Sequence, residues 1–265
     1  MDQSSPTEIK TYKAHLTRCG PLINETFILL TEYNKLKDWD VLKQKVIDEN
    51  ILNKKSSSTI NTFLLCVKNR FFNVEELPDL ETITQFVSTD IPEKAKIQVL
   101  WPYICRTDSL IEQYVFRLLE PTINSLSKPN LSKDTFFDFF EEESQIHPEL
   151  QKWSDSSQKK WVLTLLSIFR NFDFIQKKPK FKLNKPSLRL ETFAFFSIWL
   201  ILSGESAIEV IRNDIWKYFI LSESEIEKYL ENLQRQGWVS YTQSGDIISL
   251  KTDFNTMEEW INALK

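Results

Sequence analysis

The chain has 265 residues, 42% hydrophobic and 26% charged, proportions of a folded protein of one or two domains and too apolar for a disordered one. Its 33 basic and 37 acidic residues give a formal charge of −4, which excludes a uniformly basic nucleic-acid binder but leaves room for a regionally basic one. Only four glycines occur, Gly20, Gly204, Gly237 and Gly245, and none are spaced for the GxGxxG or GxxxxGK loops that cradle phosphates.

Residues 1–6 read as a frayed tail. Leu22, Ile23, Phe27, Leu30 and Tyr33 then recur at helical spacing. Asp38 is placed to cap a helix carrying Trp39, Leu42, Val46 and Ile47, which ends near Asn50. After a polar turn, Ser58 can cap a second helix whose Ile60, Phe63, Leu64, Val67 and Phe71 form one stripe. Residues 75–93 hold six acidic residues and no basic one, with Pro78 and Pro92 bracketing a short helix. Helical pattern resumes over 94–119. The stretch 120–132, with Pro121, Pro129 and three serines, is the best candidate linker.

Ser132 caps a phenylalanine-rich helix closed by His147-Pro148, and Ser154 caps another that buries Trp161, Leu165, Ile168 and Phe172. Lys180-Phe181-Lys182-Leu183 alternates with period two and predicts a short strand. The apolar run 193–202 is half the length a membrane span needs, so it reads as a core helix. Ser222 and Glu225 spell a capping box, Ile226, Tyr229, Leu230 and Leu233 a buried stripe, and Gly237 a helix stop. Residues 238–242 and 247–250, turning at Ser244-Gly245-Asp246, predict a hairpin, and 257–264 a last helix.

The predicted fold is mainly α: a helical bundle with a helix-turn-helix unit and a C-terminal winged-helix module holding a small β-hairpin. The division is an N-terminal helical domain, 7–128, containing the helix-turn-helix at 38–71. The C-terminal helical domain, 129–265, holds a basic lobe at 152–189 and the winged-helix-like module at 190–265.

Catalysis finds little footing. His15 lies one helical turn before Cys19, but nothing supplies an orienting third group. Glu141-Glu142-Glu143 reads as a solvated helix end. Cys19, Cys66 and Cys105 match no zinc or CxxC spacing, and an odd, sparse set reads as reduced thiols in a cytoplasmic protein. The polar start MDQSSPTEIK is no signal peptide. The chain is therefore expected to be no enzyme, to carry no cofactor or metal, and to sit in no membrane.

Nucleic-acid binding has better support, in two regions. In a helix-turn-helix the second helix offers its N-terminal residues to the duplex. Here the turn and that helix would present Lys54, Lys55, Ser56, Ser57, Ser58, Thr59, Asn61, Thr62, Leu65, Lys68 and Asn69, and residues 52–70 contain no acidic side chain. The second region, 152–189, holds ten basic residues against Asp155 and Asp173, a local charge of +8. Within it Lys159, Lys160, Lys177, Lys178, Lys180 and Lys182 are the candidate phosphate contacts. The C-terminal module points away from DNA, because its would-be recognition helix carries Glu223, Glu225, Glu227 and Glu231 and would be repelled by phosphate.

Several stretches together resemble the BrxA family of bacterial BREX anti-phage systems, over nearly the whole chain. They are Leu22-Ile23-Asn24-Glu25, Trp39, Val46-Ile47-Asp48-Glu49-Asn50, Lys55-Ser56-Ser57-Ser58-Thr59, Arg70, Leu131-Ser132-Lys133-Asp134, Pro148 to Ser154, Gly237-Trp238-Val239 and Gly245-Asp246-Ile247. The resemblance implies a helical core partly like the transcription factor NusB, binding to double-stranded DNA, and no enzymatic activity. The expected function is a non-catalytic, weakly sequence-specific double-stranded-DNA-binding accessory protein, with other defence proteins as possible partners. The alternatives are a protein-interaction adaptor that uses its helix-turn-helix as scaffolding, and an RNA binder by analogy with the NusB-like core.

Overall fold

The computed structural model describes residues 12, 16–72, 74–125, 131–176, 181–245 and 247–264. The chain is mainly helical, with one two-stranded antiparallel sheet. A single turn, α1 (Leu16–Cys19), precedes α2 (Ile23–Leu36). Helix α3 (Trp39–Glu49) starts as expected at Asp38, whose side chain accepts from the N–H groups of Asp40 and Val41. Asn50 then turns left-handed, and its side-chain amide brackets Lys54, accepting from its N–H (2.9 Å) and donating to its carbonyl (3.0 Å).

That bracket closes the turn early. Helix α4 (Ser57–Phe71) is capped by Ser56, not Ser58, with the Ser56 hydroxyl taking the Thr59 N–H at 3.2 Å. Any serine of the run 56–58 could cap, and the first one past the bracket does. Ile60, Leu64, Val67 and Phe71 are buried and Phe63 is half-buried, as the stripe requires. Helix α5 (Leu80–Val87) lies between the two prolines as expected and packs along α2.

Helix α6 (Glu93–Thr107) runs through the core, with Val99, Leu100, Trp101, Tyr103, Ile104 and Cys105 all buried. Its polar side chains are satisfied by distant backbone: the Trp101 indole donates to the Tyr218 carbonyl (2.8 Å) and the Tyr103 hydroxyl to that of Pro78 (2.6 Å). Gln98 donates to the Ser187 carbonyl and accepts the Arg189 N–H, both at 2.8 Å. Helix α7 (Ser109–Gln113) continues through a π-helical stretch, Tyr114–Leu119, into α8 (Glu120–Asn124). Residues 120–124 of the expected linker are therefore helical, and 126–130 lie outside the described residues. Pro121 stands just past the junction of the π-helical stretch and α8.

Helix α9 (Lys133–Ile146) begins at a Ser132–Thr135 capping box, α10 (Pro148–Gln151) follows, and α11 (Asp155–Asn171) is capped by Ser154 on Ser157 (3.3 Å). The strand expected at 180–183 is not formed among the described residues. Leu183 makes a single antiparallel bridge to Ile175, flanked by Gln176 N–H to Lys182 carbonyl (3.0 Å) and Asn184 N–H to Phe174 carbonyl (2.9 Å). Pro186 then withholds a donor, and the chain turns away to meet Gln98.

Helix α12 (Leu190–Leu202) is the expected core helix, with Phe193, Phe195 and Phe196 fully buried. Next come α13 (Ala207–Arg212), a 3-10 turn over Asp214–Phe219, and α14 (Glu223–Arg235). The Ser222 backbone N–H and hydroxyl both donate to Glu225 Oε2, at 2.8 and 2.9 Å. Gly237, at φ +73°, lets Trp238 N–H return to the Leu233 carbonyl at 3.0 Å. Strands β1 (Ser240–Ser244) and β2 (Ile247–Lys251) pair with Tyr241 opposite Leu250, and α15 (Met257–Ala263) follows.

Apolar side chains from before and after residue 128 share one cluster; the Trp101 ring, for example, lies 4.8 Å from Phe172 and 5.3 Å from Phe174. The cysteines correct the expectation of three reduced thiols. Cys19 and Cys66 form a disulfide across 47 residues, and only Cys105 is a free, buried thiol. The pairing follows from α1 packing against both α4 and α11, which lays Cys19 beside Cys66.

Candidate nucleic-acid interface

The α3–α4 pair delivers most of the face expected of it. Lys55, Ser56, Ser57, Ser58, Asn61, Leu65, Lys68 and Asn69 are exposed; Thr59 and Thr62 are half-buried. Those two threonines are engaged locally, Thr59 with the Ser56 hydroxyl (2.9 Å) and Thr62 with the Ser58 carbonyl (2.9 Å). Lys54 is tied down by Glu25 (2.8 Å) and lies over the Phe63 ring at 5.3 Å. Lys68 leans on the Phe72 ring (5.7 Å), and neither it nor Lys55 has a carboxylate within 4.0 Å among the described residues.

Arg70, the last basic residue of the 52–70 stretch, is buried at 5% exposure. Its two terminal nitrogens donate to the carbonyls of Gly20 (2.5 Å) and Pro21 (3.2 Å). Burial lowers its pKa to about 10, against the pull of Asp108, so it stays charged at neutral pH. Its spacing gave the signal: Arg70 lies one helical turn after Cys66 and beside Phe71, on the inward flank of α4.

In the second region Lys152, Lys159, Lys160 and Lys182 are exposed with no carboxylate within 4.0 Å among the described residues. Lys159 and Lys160 line a shallow open depression with Gly20, Pro21, Ser156, Leu163 and Thr164. The lobe is partly neutralised elsewhere, by Lys185–Glu225 (2.5 Å) and Arg189–Glu191 (3.2 Å), whereas its own Asp173 is taken up by Lys94 from outside it (2.8 Å). Lys177, Lys178 and Lys180 lie outside the described residues.

Segment 16–21 joins the two regions. It is fixed to α4 by the disulfide and by Arg70, and to α11 by helix packing. The N-termini of α4 and α11 match in chemistry, each with a serine cap, serines in the first turn and an unpaired lysine nearby. Such ends direct free N–H groups and a positive dipole outward, which suits phosphate, although Asp155 in the first turn of α11 opposes it.

Away from these regions, the acidic run 141–143 needs correcting. Glu141 and Glu142 are exposed, but Glu143 is fully buried, ion-paired with Arg117 and 4.0 Å from His147. The phenylalanines of α9 set the inward face, and Glu143 falls on it. No helix among the described residues is long and apolar enough to cross a membrane. No cluster of three or more His, Cys, Asp and Glu residues among them could hold a metal ion.

A model of the BrxA family matches residues 10–197. The chain belongs to the BrxA family. That places it among the proteins of BREX anti-phage defence, as the sequence resemblance implied, and the match takes in both lysine-bearing regions. The fold of this BrxA protein is shared with the crystal structure of an uncharacterized protein from Magnetospirillum magneticum. The two superpose with a TM-score of 0.59 at 17% identity, over 77% of this chain and 97% of the other. No curated protein matches the chain.

Proposed function

We propose that this BrxA protein is a non-catalytic accessory component of BREX defence that grips double-stranded DNA through phosphates, with little base preference. One observation carries the proposal: Lys55 and Lys68 of the α3–α4 pair, and Lys152, Lys159, Lys160 and Lys182 of the second region, are exposed with no carboxylate within 4.0 Å among the described residues. A lysine without a carboxylate partner keeps its full attraction for phosphate, whereas Lys54, Lys185 and Arg189 are already satisfied. The exposed Ser57, Ser58 and Asn61 add hydrogen bonds to backbone or base edges, and Leu65, 58% exposed, adds an apolar contact of the kind a thymine methyl takes.

The test is duplex binding measured by mobility shift or anisotropy over a salt series. Each phosphate contact adds about 0.9 to the log–log slope, so six lysines set a ceiling near −5. Lys159→Glu with Lys160→Glu should lower the slope by about 2 and weaken binding alike for unrelated sequences. No shift at low salt would overturn the proposal and favour the adaptor. Preference for RNA of equal length would favour the RNA-binding alternative.

A further inference from the structure

We infer that Cys19 and Cys66 form a reversible thiol–disulfide exchange site, opened by a small thiol that attacks Cys19 and releases Cys66 as a thiolate. This inference does not rest on DNA binding. Both cysteines line a cavity of about 220 Å³ between α1, α4, α6 and α7, whose walls include Asn69, Arg70, Ile104 and Asp108.

The two ends of the bond differ in access. Cys19 is half-buried on the single turn α1, and the residues after it, Gly20 and Pro21, border the open depression on the α11 side. Cys66 is 4% exposed in the middle of α4. A thiol arriving from solvent meets the Cys19 sulfur first, and Cys66 is shielded from direct attack.

Arg70 favours the same direction. It lies one helical turn after Cys66, and the side chains of a helix lean toward its N-terminus, so the guanidinium reaches back toward Cys66. It is buried and charged, with neutral carbonyls as its partners and no carboxylate within 4.0 Å among the described residues. The other ionisable side chain on the cavity wall besides the cysteines is Asp108, which burial raises to about 7, so at neutral pH it offsets Arg70 only in part. A positive neighbour stabilises a thiolate, which makes Cys66 the better leaving group.

The exchange runs in two displacements. The thiolate of one small thiol attacks Cys19 Sγ, a mixed disulfide forms there, the Cys19–Cys66 bond breaks, and its electron pair stays on Cys66 Sγ beside Arg70. A second thiolate attacks the sulfur of the bound small thiol, the two small thiols leave joined as a disulfide, and Cys19 departs as a thiolate that takes a proton from water. Two small thiols are oxidised by two electrons and one protein disulfide is reduced.

Arg70 also makes the opening reversible. Its bonds to the carbonyls of Gly20 (2.5 Å) and Pro21 (3.2 Å) hold the residues next to Cys19 against α4 whether or not the sulfurs are joined. Cys19 stays beside Cys66, and reclosure is intramolecular. Closing a loop of 47 residues favours the bond, while the guanidinium favours the open thiolate, so the pair is exchangeable and not locked.

The experiment equilibrates the folded full chain, without oxygen, in mixtures of reduced and oxidised glutathione. Samples are quenched in acid, alkylated in denaturant and read by mass spectrometry. The thiol count should rise from one, Cys105, to three at millimolar reduced glutathione while circular dichroism stays helical. At early times the glutathione adduct should map to Cys19. Arg70→Gln should lower the equilibrium constant for opening about tenfold, and Arg70→Lys, which keeps the charge, should restore most of it. The inference is overturned if the bond opens only in denaturant, if the adduct maps to Cys66, or if a folded Arg70→Gln opens as readily as the parent. The thiol count and the adduct map use the unmodified protein and decide the question even where neither variant folds.

Discussion

Reducing the Cys19–Cys66 bond should loosen the fold by an amount set by the length of chain it closes. A loop of 47 residues loses roughly 14 cal/mol/K of unfolded-state entropy when it is closed, about 4 kcal/mol at 25 °C. Unfolding entropy near 2.1 cal/mol/K per residue gives about 0.56 kcal/mol/K for 265 residues, so loss of the bond should lower Tm by about 7 °C. The assay is calorimetry of the parent, Cys19→Ser and Cys66→Ser, each with and without a reductant that reaches buried sulfur. The parent should fall to the level of the variants under reductant, and Cys19→Ser should not respond. Thiol titration of the parent denatured without reductant should count one thiol, Cys105. Three thiols in that titration, or a Tm unmoved by reductant, would refute the bond and restore the reduced cysteines expected from sequence alone.

Two further outcomes test the core and the cavity wall. Because burial raises Asp108 to about 7 from 3.8, the folded state holds a proton that the unfolded chain releases, so the sign is a fall in stability as pH rises through that interval. The fall should reach about 1.4 kcal/mol per pH unit and level off above 7, and Asp108→Asn should flatten it in denaturant melts; an unchanged slope in the variant would assign it to another group. In α4, Leu64→Ala removes a side chain 3% exposed and should cost about 2–5 kcal/mol, while Leu65→Ala, at 58% exposed, should stay within about 0.5 kcal/mol; equal costs would mean the helix faces are assigned wrongly.

The sequence was most legible where structure is decided locally. Asp38, Ser132 and Ser154 cap helices because a short polar side chain reaches N–H groups two or three residues on, and Gly237 ends α14 because it accepts a positive φ. Ser56 caps α4 where Ser58 is expected, because the choice within a run of serines depends on where Asn50 closes the preceding turn. Pairings across long separations left no trace. Lys54 meets Glu25 over 29 residues, Lys185 meets Glu225 over 40, and Cys19 meets Cys66 over 47. Each turned a residue counted as a free surface cation or thiol into a structural tie. The cavity lined by Arg70 and Asp108 was illegible for the same reason, since its walls come from four helices brought together only by the fold.

Charge on this molecule acts by neighbourhood. At physiological salt, potentials fade over about 8 Å, so a net charge of −4 does not decide whether one flank attracts a duplex. What decides it is whether each lysine has a nearby carboxylate, and here the two chain ends differ. Helix α14 packs on α12, α13 and β1, and its Glu225 draws in Lys185. Helices α4 and α11 flank segment 16–21 and keep Lys55, Lys68, Lys159 and Lys160 unpaired. A duplex seated on α4 and α11 leaves the glutamates of α14 for other contacts. A duplex seated on α14 would face Glu223, Glu227 and Glu231 against Lys228 and Arg235, and the second of those cations already leans toward Glu231 at 3.8 Å. On the proposed reading, repulsion on that module and attraction on the other would orient the protein on DNA in the same sense, without any base needing to be read.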